Sequence, residues 1–184
     1  MLIDPYGRPV NDIRISITQK CNLNCFYCHR EGENEKTAKE MTPDEIKKIV
    51  EIAAKLGIKR VKITGGEPLV RKDVTEIIEK ISNIKGIVDV SLTTNGVLLA
   101  EYAEKLRKAG LKRVNVSLDT LDPQKYQKIT GHNYSKRVIE GIIKAVETGL
   151  NPVKINMVVL KGINDTEIWD MIDFSAKTNT ILQL

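Results

Sequence analysis

Aromatic side chains are scarce, at 4% of the chain, and no dense lysine or arginine block accompanies a formal charge of +5. These two lacks argue against a nucleic-acid surface. The excess positive charge is left to solvated helix faces and to a site for an anionic ligand. Long apolar runs are missing too: no stretch reaches the length that crosses a bilayer. The start, Met-Leu-Ile-Asp-Pro-Tyr-Gly-Arg-Pro, has no apolar signal-peptide region, so a soluble, cytoplasmic protein is expected. Cysteine occurs only three times. An odd count without a signal peptide excludes a disulfide framework. Apolar content of 41% with 29% charged residues suits a single globular core.

The placement of those cysteines is the strongest signal in the chain. Cys21, Cys25 and Cys28 occupy one run, Cys-Asn-Leu-Asn-Cys-Phe-Tyr-Cys, with Cys-x3-Cys-x2-Cys spacing. Three thiolates on one short loop can hold a metal cluster. An iron–sulfur cluster normally takes four cysteines, so three leave one iron for a substrate or cofactor. Structural zinc is the alternative, with His29 as fourth ligand, but the second Cys-x2-Cys pair of a finger is missing.

From Asp12 onward short β-branched runs alternate with amphipathic stretches. Strands are predicted at 12 to 18, 60 to 64, 87 to 93, 112 to 118 and 152 to 159. Helices are predicted at 42 to 56, 71 to 83, 99 to 109, 135 to 149 and 165 to 177 from the 3.6-residue apolar spacing. Thr42-Pro43-Asp44-Glu45 reads as a helix start, and Gly57, Gly110 and Gly149 as helix C-caps. Strand–helix repetition demands parallel strands with helical crossovers, in a βα barrel or a doubly wound sheet.

Residue parity favours the barrel. Ile13, Ile15 and Ile17 alternate with Arg14, Ser16 and Thr18, and the other strands alternate likewise, whereas a doubly wound sheet reads as continuous apolar runs. A curled sheet would turn its polar face into a lumen containing Arg14, Lys62 and Lys154, which would attract an anion. The cysteine loop follows the first strand, at the end where βα folds place active sites. Thr64-Gly65-Gly66-Glu67-Pro68 follows the second at the same end, its glycines letting backbone approach a ligand.

The cysteine loop, Tyr27 before the third cysteine and Gly-Gly-Glu-Pro after the second strand together resemble the radical S-adenosylmethionine (SAM) enzymes. The resemblance implies an α/β fold, a partial (βα)6 radical-SAM-type TIM barrel with parallel strands and outer helices. It implies that Cys21, Cys25 and Cys28 hold a 4Fe-4S cluster whose open iron chelates the amino and carboxylate groups of SAM. The Gly-Gly-Glu-Pro segment would contact the SAM amino group, and one electron from a donor would cleave SAM to a 5'-deoxyadenosyl radical. The cofactor carries that step while the protein contributes placement.

Further runs are similar, in order, to the GTP 3',8-cyclase family of molybdenum-cofactor biosynthesis: Gly-Arg-Pro-Val, Lys-Ile-Thr-Gly-Gly-Glu-Pro-Leu, Leu-Thr-Thr-Asn-Gly, Asn-Val-Ser-Leu-Asp and Leu-Lys-Gly-Ile-Asn-Asp. That likeness implies GTP contacts at Arg14, Lys62, Thr93 and Lys154, with Lys62 at a position often occupied by Arg. It implies SAM contacts at Tyr27, Gly66 and Ser117. The implied chemistry is hydrogen abstraction from ribose C3' and addition of that carbon to guanine C8, giving 3',8-cyclo-7,8-dihydro-GTP for a downstream cyclic pyranopterin monophosphate synthase. Asn95, Asn115 and Asp119 read as lumen or turn residues, and His132 and Trp169 as surface or packing residues.

The family also carries a second 4Fe-4S cluster on three further cysteines, a further SAM-contacting methionine and a Gly-Gly tail, none of which occurs here. Residues 1–184 are therefore expected to be a radical SAM core truncated at about the sixth strand, whose opening is Thr-Ile-Leu-Gln-Leu. An unpaired edge would favour aggregation or a homodimer, and GTP turnover would be weak or absent. The rival readings are another radical SAM reaction, such as peptide or tetrapyrrole modification, and a non-catalytic zinc-binding α/β module that recruits a partner.

Overall fold

The computed structural model describes residues 2–28 and 39–184. In chain order the elements are β1 (Asp12–Ser16), α1 (Pro43–Lys55), β2 (Arg60–Thr64), α2 (Val74–Ser82), β3 (Asp89–Thr94), α3 (Leu99–Lys108), β4 (Arg113–Ser117), α4 (Pro123–Thr130), α5 (Ser135–Glu147), β5 (Val153–Asn156), α6 (Ile168–Lys177) and β6 (Ile181–Gln183). The strands form one sheet in the order β1-β2-β3-β4-β5-β6, and every neighbouring pair is parallel. A doubly wound sheet would reverse its order at a switch point. This one does not, so right-handed crossovers put all the helices on one side. The result is an open part-barrel, with β1 and β6 as its edges.

Strand alternation decides which side is covered. Val61, Ile63, Leu92, Val114, Val116 and Ile155 are fully buried, packed in one core with Val50, Ile77, Leu106, Val138 and Ile142 from the helices. Helix α1 begins as expected: the Thr42 hydroxyl accepts from Glu45 N–H at 3.2 Å, and the Glu45 carboxylate accepts from Thr42 N–H at 2.7 Å, a reciprocal capping box. Gly57, Gly110 and Gly149 follow their helices with φ of +102°, +101° and +78°. No described helix is long and apolar enough to cross a membrane.

Three departures from the predicted elements have local causes. Helix α2 starts at Val74, not 71, because Arg71 is extended and its buried guanidinium donates to the Ile17 and Met41 carbonyls, each at 2.6 Å. That side chain ties the turn after β2 to the end of β1. Strand β5 stops at Asn156, not 159, and the Val158 N–H goes to Asp119 Oδ1 at 2.9 Å. Helix α4 was not anticipated. Asp122 caps it by accepting from the N–H groups of Gln124 and Lys125, Pro123 opens it, and Gly131 ends it in the left-handed region at φ +79°.

A cysteine-lined cavity at the carboxyl ends of the strands

A cavity of about 350 Å³ opens where β1 and β2 end, lined by Ser16, Thr18, Gln19, Leu23, Thr64, Gly65 and Gly66 together with all three cysteines. The loop bearing them is held from two sides. On one side it extends the strand pairing: Ile17 N–H donates to the Thr64 carbonyl, Gly66 N–H to Thr18 and Glu67 N–H to Lys20, at 2.8 to 3.0 Å. On the other side α4 receives it, with Asn24 N–H donating to the Thr130 carbonyl and Phe26 N–H to Ile129.

The glycine pair has a reason beyond ligand access. A Cβ on Gly65 would stand 2.6 Å from the Thr18 carbonyl oxygen, and one on Gly66 would stand 2.5 Å from that of Lys20. Any side chain there would push the cysteine loop off β2. Glu67 is fully buried, so its carboxylate is turned into the protein and away from the cavity. It accepts from Leu69 N–H at 2.9 Å, the Thr94 hydroxyl at 2.7 Å and Asn95 N–H at 2.6 Å, clamping the turn to the end of β3. Burial pushes its carboxyl up against those stabilising donors.

Two residues read as lumen or turn brace the cysteine loop from the strand ends. Asn95 Nδ2 donates to Asn22 Oδ1 at 2.7 Å and lies 3.9 Å from Cys21 Sγ. Asp119, at the end of β4, accepts the Tyr27 hydroxyl at 2.6 Å. Burial, then the Asp119 charge, raises the Tyr27 phenol, which stays protonated and donating. Asn95 and Asp119 follow Thr94 and Leu118 at strand ends, a positional signal that chain order alone left unweighted. Of the remaining expectations, Trp169 is at the surface, 77% exposed, and His132 stacks on Tyr134. His29 lies outside the described residues.

The donor set fits a polynuclear iron–sulfur group. Thiolates are soft ligands suited to such clusters, and three serve three irons while a fourth iron takes an external ligand. Burial pushes the Cys21 thiol up, and burial followed by the Asp119 charge pushes Cys25 up to about 11. Metal binding would therefore displace protons from these sulfurs.

Below the cavity the inner face is polar and basic. Register aligns Arg14 with Lys62, Lys62 with Ser91 and Ser91 with Arg113. The next row up contains Thr93, Asn115 and Lys154, and Ser117 pairs with Asn156 above it. Parity thus brings all four predicted GTP residues onto one surface, with Arg113 added. Arg113 and Arg60 have carboxylate partners, Asp89 at 2.5 Å and Asp12 at 2.7 Å. Arg14, Lys62 and Lys154 have no ion pair among the described residues. Burial, then Arg14, Arg113 and Lys154, pushes the Lys62 amine down.

Two archaeal proteins described as probable GTP 3',8-cyclases are similar along the whole chain. The one from Pyrococcus abyssi is 59% identical over 186 residues, and the one from Pyrococcus horikoshii 58% over 184. The chain spans 59% and 58% of those proteins' lengths. Streptococcus suis SuiB bound to S-adenosylmethionine superposes with a TM-score of 0.80 at 24% identity, covering 92% of this chain and 39% of that one. AdoMet-bound anSMEcpe gives 0.77 at 19%, covering 95% and 50%; identities this low speak for the fold alone. The radical SAM superfamily pattern matches residues 15–175, from within β1 to within α6. On that match, and with its three cysteines gathered at the strand ends, this chain belongs to the radical SAM superfamily, a family that implies a 4Fe-4S cluster and SAM.

Proposed function

We propose that residues 1–184 form the radical SAM core of a GTP 3',8-cyclase, which converts GTP to 3',8-cyclo-7,8-dihydro-GTP in molybdenum-cofactor biosynthesis. The observation that carries the reading is the trio of unpaired cations on the inner face, Arg14, Lys62 and Lys154, below the cysteine-lined cavity. Like charges gathered without counter-ions lower stability, so their retention calls for an anion. A triphosphate supplies one, and a guanidinium can grip it through two hydrogen bonds. The relatives that match the whole chain support the same substrate.

Cys21, Cys25 and Cys28 would hold the 4Fe-4S cluster, which with bound SAM supplies one-electron chemistry and a 5'-deoxyadenosyl radical. Tyr27, Gly66 and Ser117 would orient SAM, with Tyr27 held in place by Asp119. Arg14, Lys62, Thr93 and Lys154 would hold GTP lower on the sheet. Ser117 is four residues beyond Arg113 on β4, so at ~3.3 Å per residue its row lies about 13 Å above the Arg14–Lys62 row. That separation suits a nucleotide whose phosphates point down and whose ribose C3' faces the SAM end, with the curled sheet limiting water around the reacting carbon. The shorter span relative to the cyclases supports placing the second-cluster region outside these residues, along with full turnover. An electron donor and the synthase that rearranges the product would complete the sequence.

The test is GTP binding to the anaerobically reconstituted chain. Replacing Arg14 or Lys154 by Ala is expected to weaken binding about tenfold each, the equivalent of one charge-assisted hydrogen bond. Unchanged affinity in both variants would remove the nucleotide from this face. Deoxyadenosine release that ignores GTP in a chain carrying the remaining region would favour another radical SAM reaction.

A further inference from the structure

Two ion pairs stand at the starts of the strands, and only one of them is complete. Arg60 on β2 grips Asp12 through two hydrogen bonds, Nε to Oδ1 at 2.7 Å and Nη2 to Oδ2 at 3.0 Å. Arg113 on β4 meets Asp89 on β3 through Nη2, 2.5 Å from Oδ2. That approach is not in line for a hydrogen bond. Asp89 Oδ2 and Arg113 Nε are both shut off from solvent with no hydrogen-bond partner among the described residues. The complete pair is exposed and the incomplete one largely buried. Stability alone favours the reverse, because a buried donor or acceptor left unsatisfied is the costlier one.

Arg113 also faces the place where an anion is expected. It lines a cavity of about 290 Å³ together with Asp12, Arg14, Arg60, Lys62 and Ser91. Register sets Arg14, Lys62, Ser91 and Arg113 in one row across four strands, and the small Ser91 leaves room between Lys62 and Arg113. With strands ~4.8 Å apart, those two backbones are about 10 Å apart, a gap that two long cationic side chains can close on one bound group. Lys154 pairs with Asn115, two residues beyond Arg113 on β4, so it stands a row higher. For a nucleotide whose phosphates point down, Lys154 is level with the phosphates nearer the ribose and Arg113 with the terminal one. Asp89 in turn pairs with Arg60 in register, and its charge acts on Arg60. The carboxylate therefore keeps a cation beside it when Arg113 turns away.

We propose that Arg113 exchanges Asp89 for the terminal phosphate of the bound nucleotide, and so selects a nucleoside triphosphate over the diphosphate. The inference rests on the GTP reading of this face and deepens it. A guanidinium can meet two phosphate oxygens at once, whereas beside Asp89 its Nε has no acceptor. A diphosphate would end short of Arg113 and leave the ion pair as it is. Selectivity is then the difference between the two affinities.

Titration calorimetry with GTP and GDP on the anaerobically reconstituted chain tests this. Wild type is expected to bind GTP more tightly. Arg113→Met should weaken GTP about tenfold, one charge-assisted contact, and GDP far less, so the preference falls. Asp89→Asn should raise the preference, because Arg113 no longer has a carboxylate to leave. Arg113→Met strands Asp89, and if that variant does not fold, the double variant Asp89→Asn with Arg113→Met, which buries no lone charge, is read in its place.

Equal affinities for GTP and GDP in wild type would overturn the proposal. So would a folded variant without Arg113 that keeps the wild-type preference, since a merely structural arginine would change both affinities alike or neither. An Asp89→Asn variant whose preference does not rise would overturn it too, by showing that carboxylate and phosphate do not compete. Wild type that binds neither nucleotide would defeat the GTP reading, and the inference with it. The other failures all begin from wild type that binds GTP, which distinguishes them from that one.

Discussion

The two faces of the sheet follow opposite rules. On the helix side Val61, Ile63, Leu92 and Val116 are fully buried, and each removes apolar area from water. On the inner side, within one residue of them, Arg14, Lys62 and Lys154 stand without ion pairs among the described residues, and Lys62 is held below its ordinary basicity by burial and then by Arg14, Arg113 and Lys154. The outer face contributes stability and the inner face gives some of it up. Because the side-chain period of a strand is two, binding and folding are assigned to alternating residues and should respond separately to mutation.

The largest expected effect lies where the inner face meets the cysteine loop. Replacing Cys25 by Ala should abolish iron uptake, read by metal analysis and visible absorption after anaerobic reconstitution, with little change in the melting temperature of the metal-free protein. Iron retained at the wild-type level would show that the three sulfurs do not act together. The outer face should give the reverse result. Leu92→Ala is expected to cost about 2 to 5 kcal/mol in urea unfolding, the usual range for a buried leucine, with anion binding per folded molecule unchanged. A loss of binding in folded Leu92→Ala would break the separation of faces.

Much of this was legible in the sequence because it depends on period and order. Alternation from Asp12 to Thr18 and its equivalents gave the polar face. Thr42 and Glu45 gave the start of α1, and the spacing of Cys21, Cys25 and Cys28 gave the loop. What escaped notice depends on contacts between distant segments. The role of Glu67 is invisible in its own segment, because the groups that take up both its oxygens, Thr94 and Asn95, stand at the end of β3. Gly66 is legible as access for a ligand, but not as the place where a side chain would meet the Lys20 carbonyl. Helix α4 was signalled by Asp122, Pro123 and Gly131, but its eight residues carry too few turns for periodicity to reveal. Arg113 shares the parity of the basic face and could have been read from it.

A mid-sized effect sharpens the comparison on the inner face alone. Lys154→Met keeps most of the side-chain stem and removes the charge. GTP affinity is expected to fall about tenfold, one charge-assisted contact, while the metal-free protein becomes slightly more stable, since Lys154 is among the cations that depress Lys62. Titration calorimetry and a melting curve read the two quantities on one sample. A drop in both would mean that Lys154 supports the fold.

The smallest expected effect is a pH dependence that belongs to Lys62. Its amine loses its proton more readily in the folded chain than in the unfolded chain, by burial first and then by Arg14, Arg113 and Lys154. Between the lowered folded value and the ordinary unfolded value of about 10.4, the unfolded chain binds more protons, so stability rises with pH through that window. Many lysines and tyrosines titrate there as well, and only the difference between wild type and Lys62→Met isolates this group. Wild type should gain stability relative to the variant as pH rises from neutral towards about 10. Triphosphate should shrink that gain, because a bound anion favours the charged amine and restores its pKa. A difference that stays flat, or grows with triphosphate present, would mean that Lys62 neither repels its neighbours nor faces the anion.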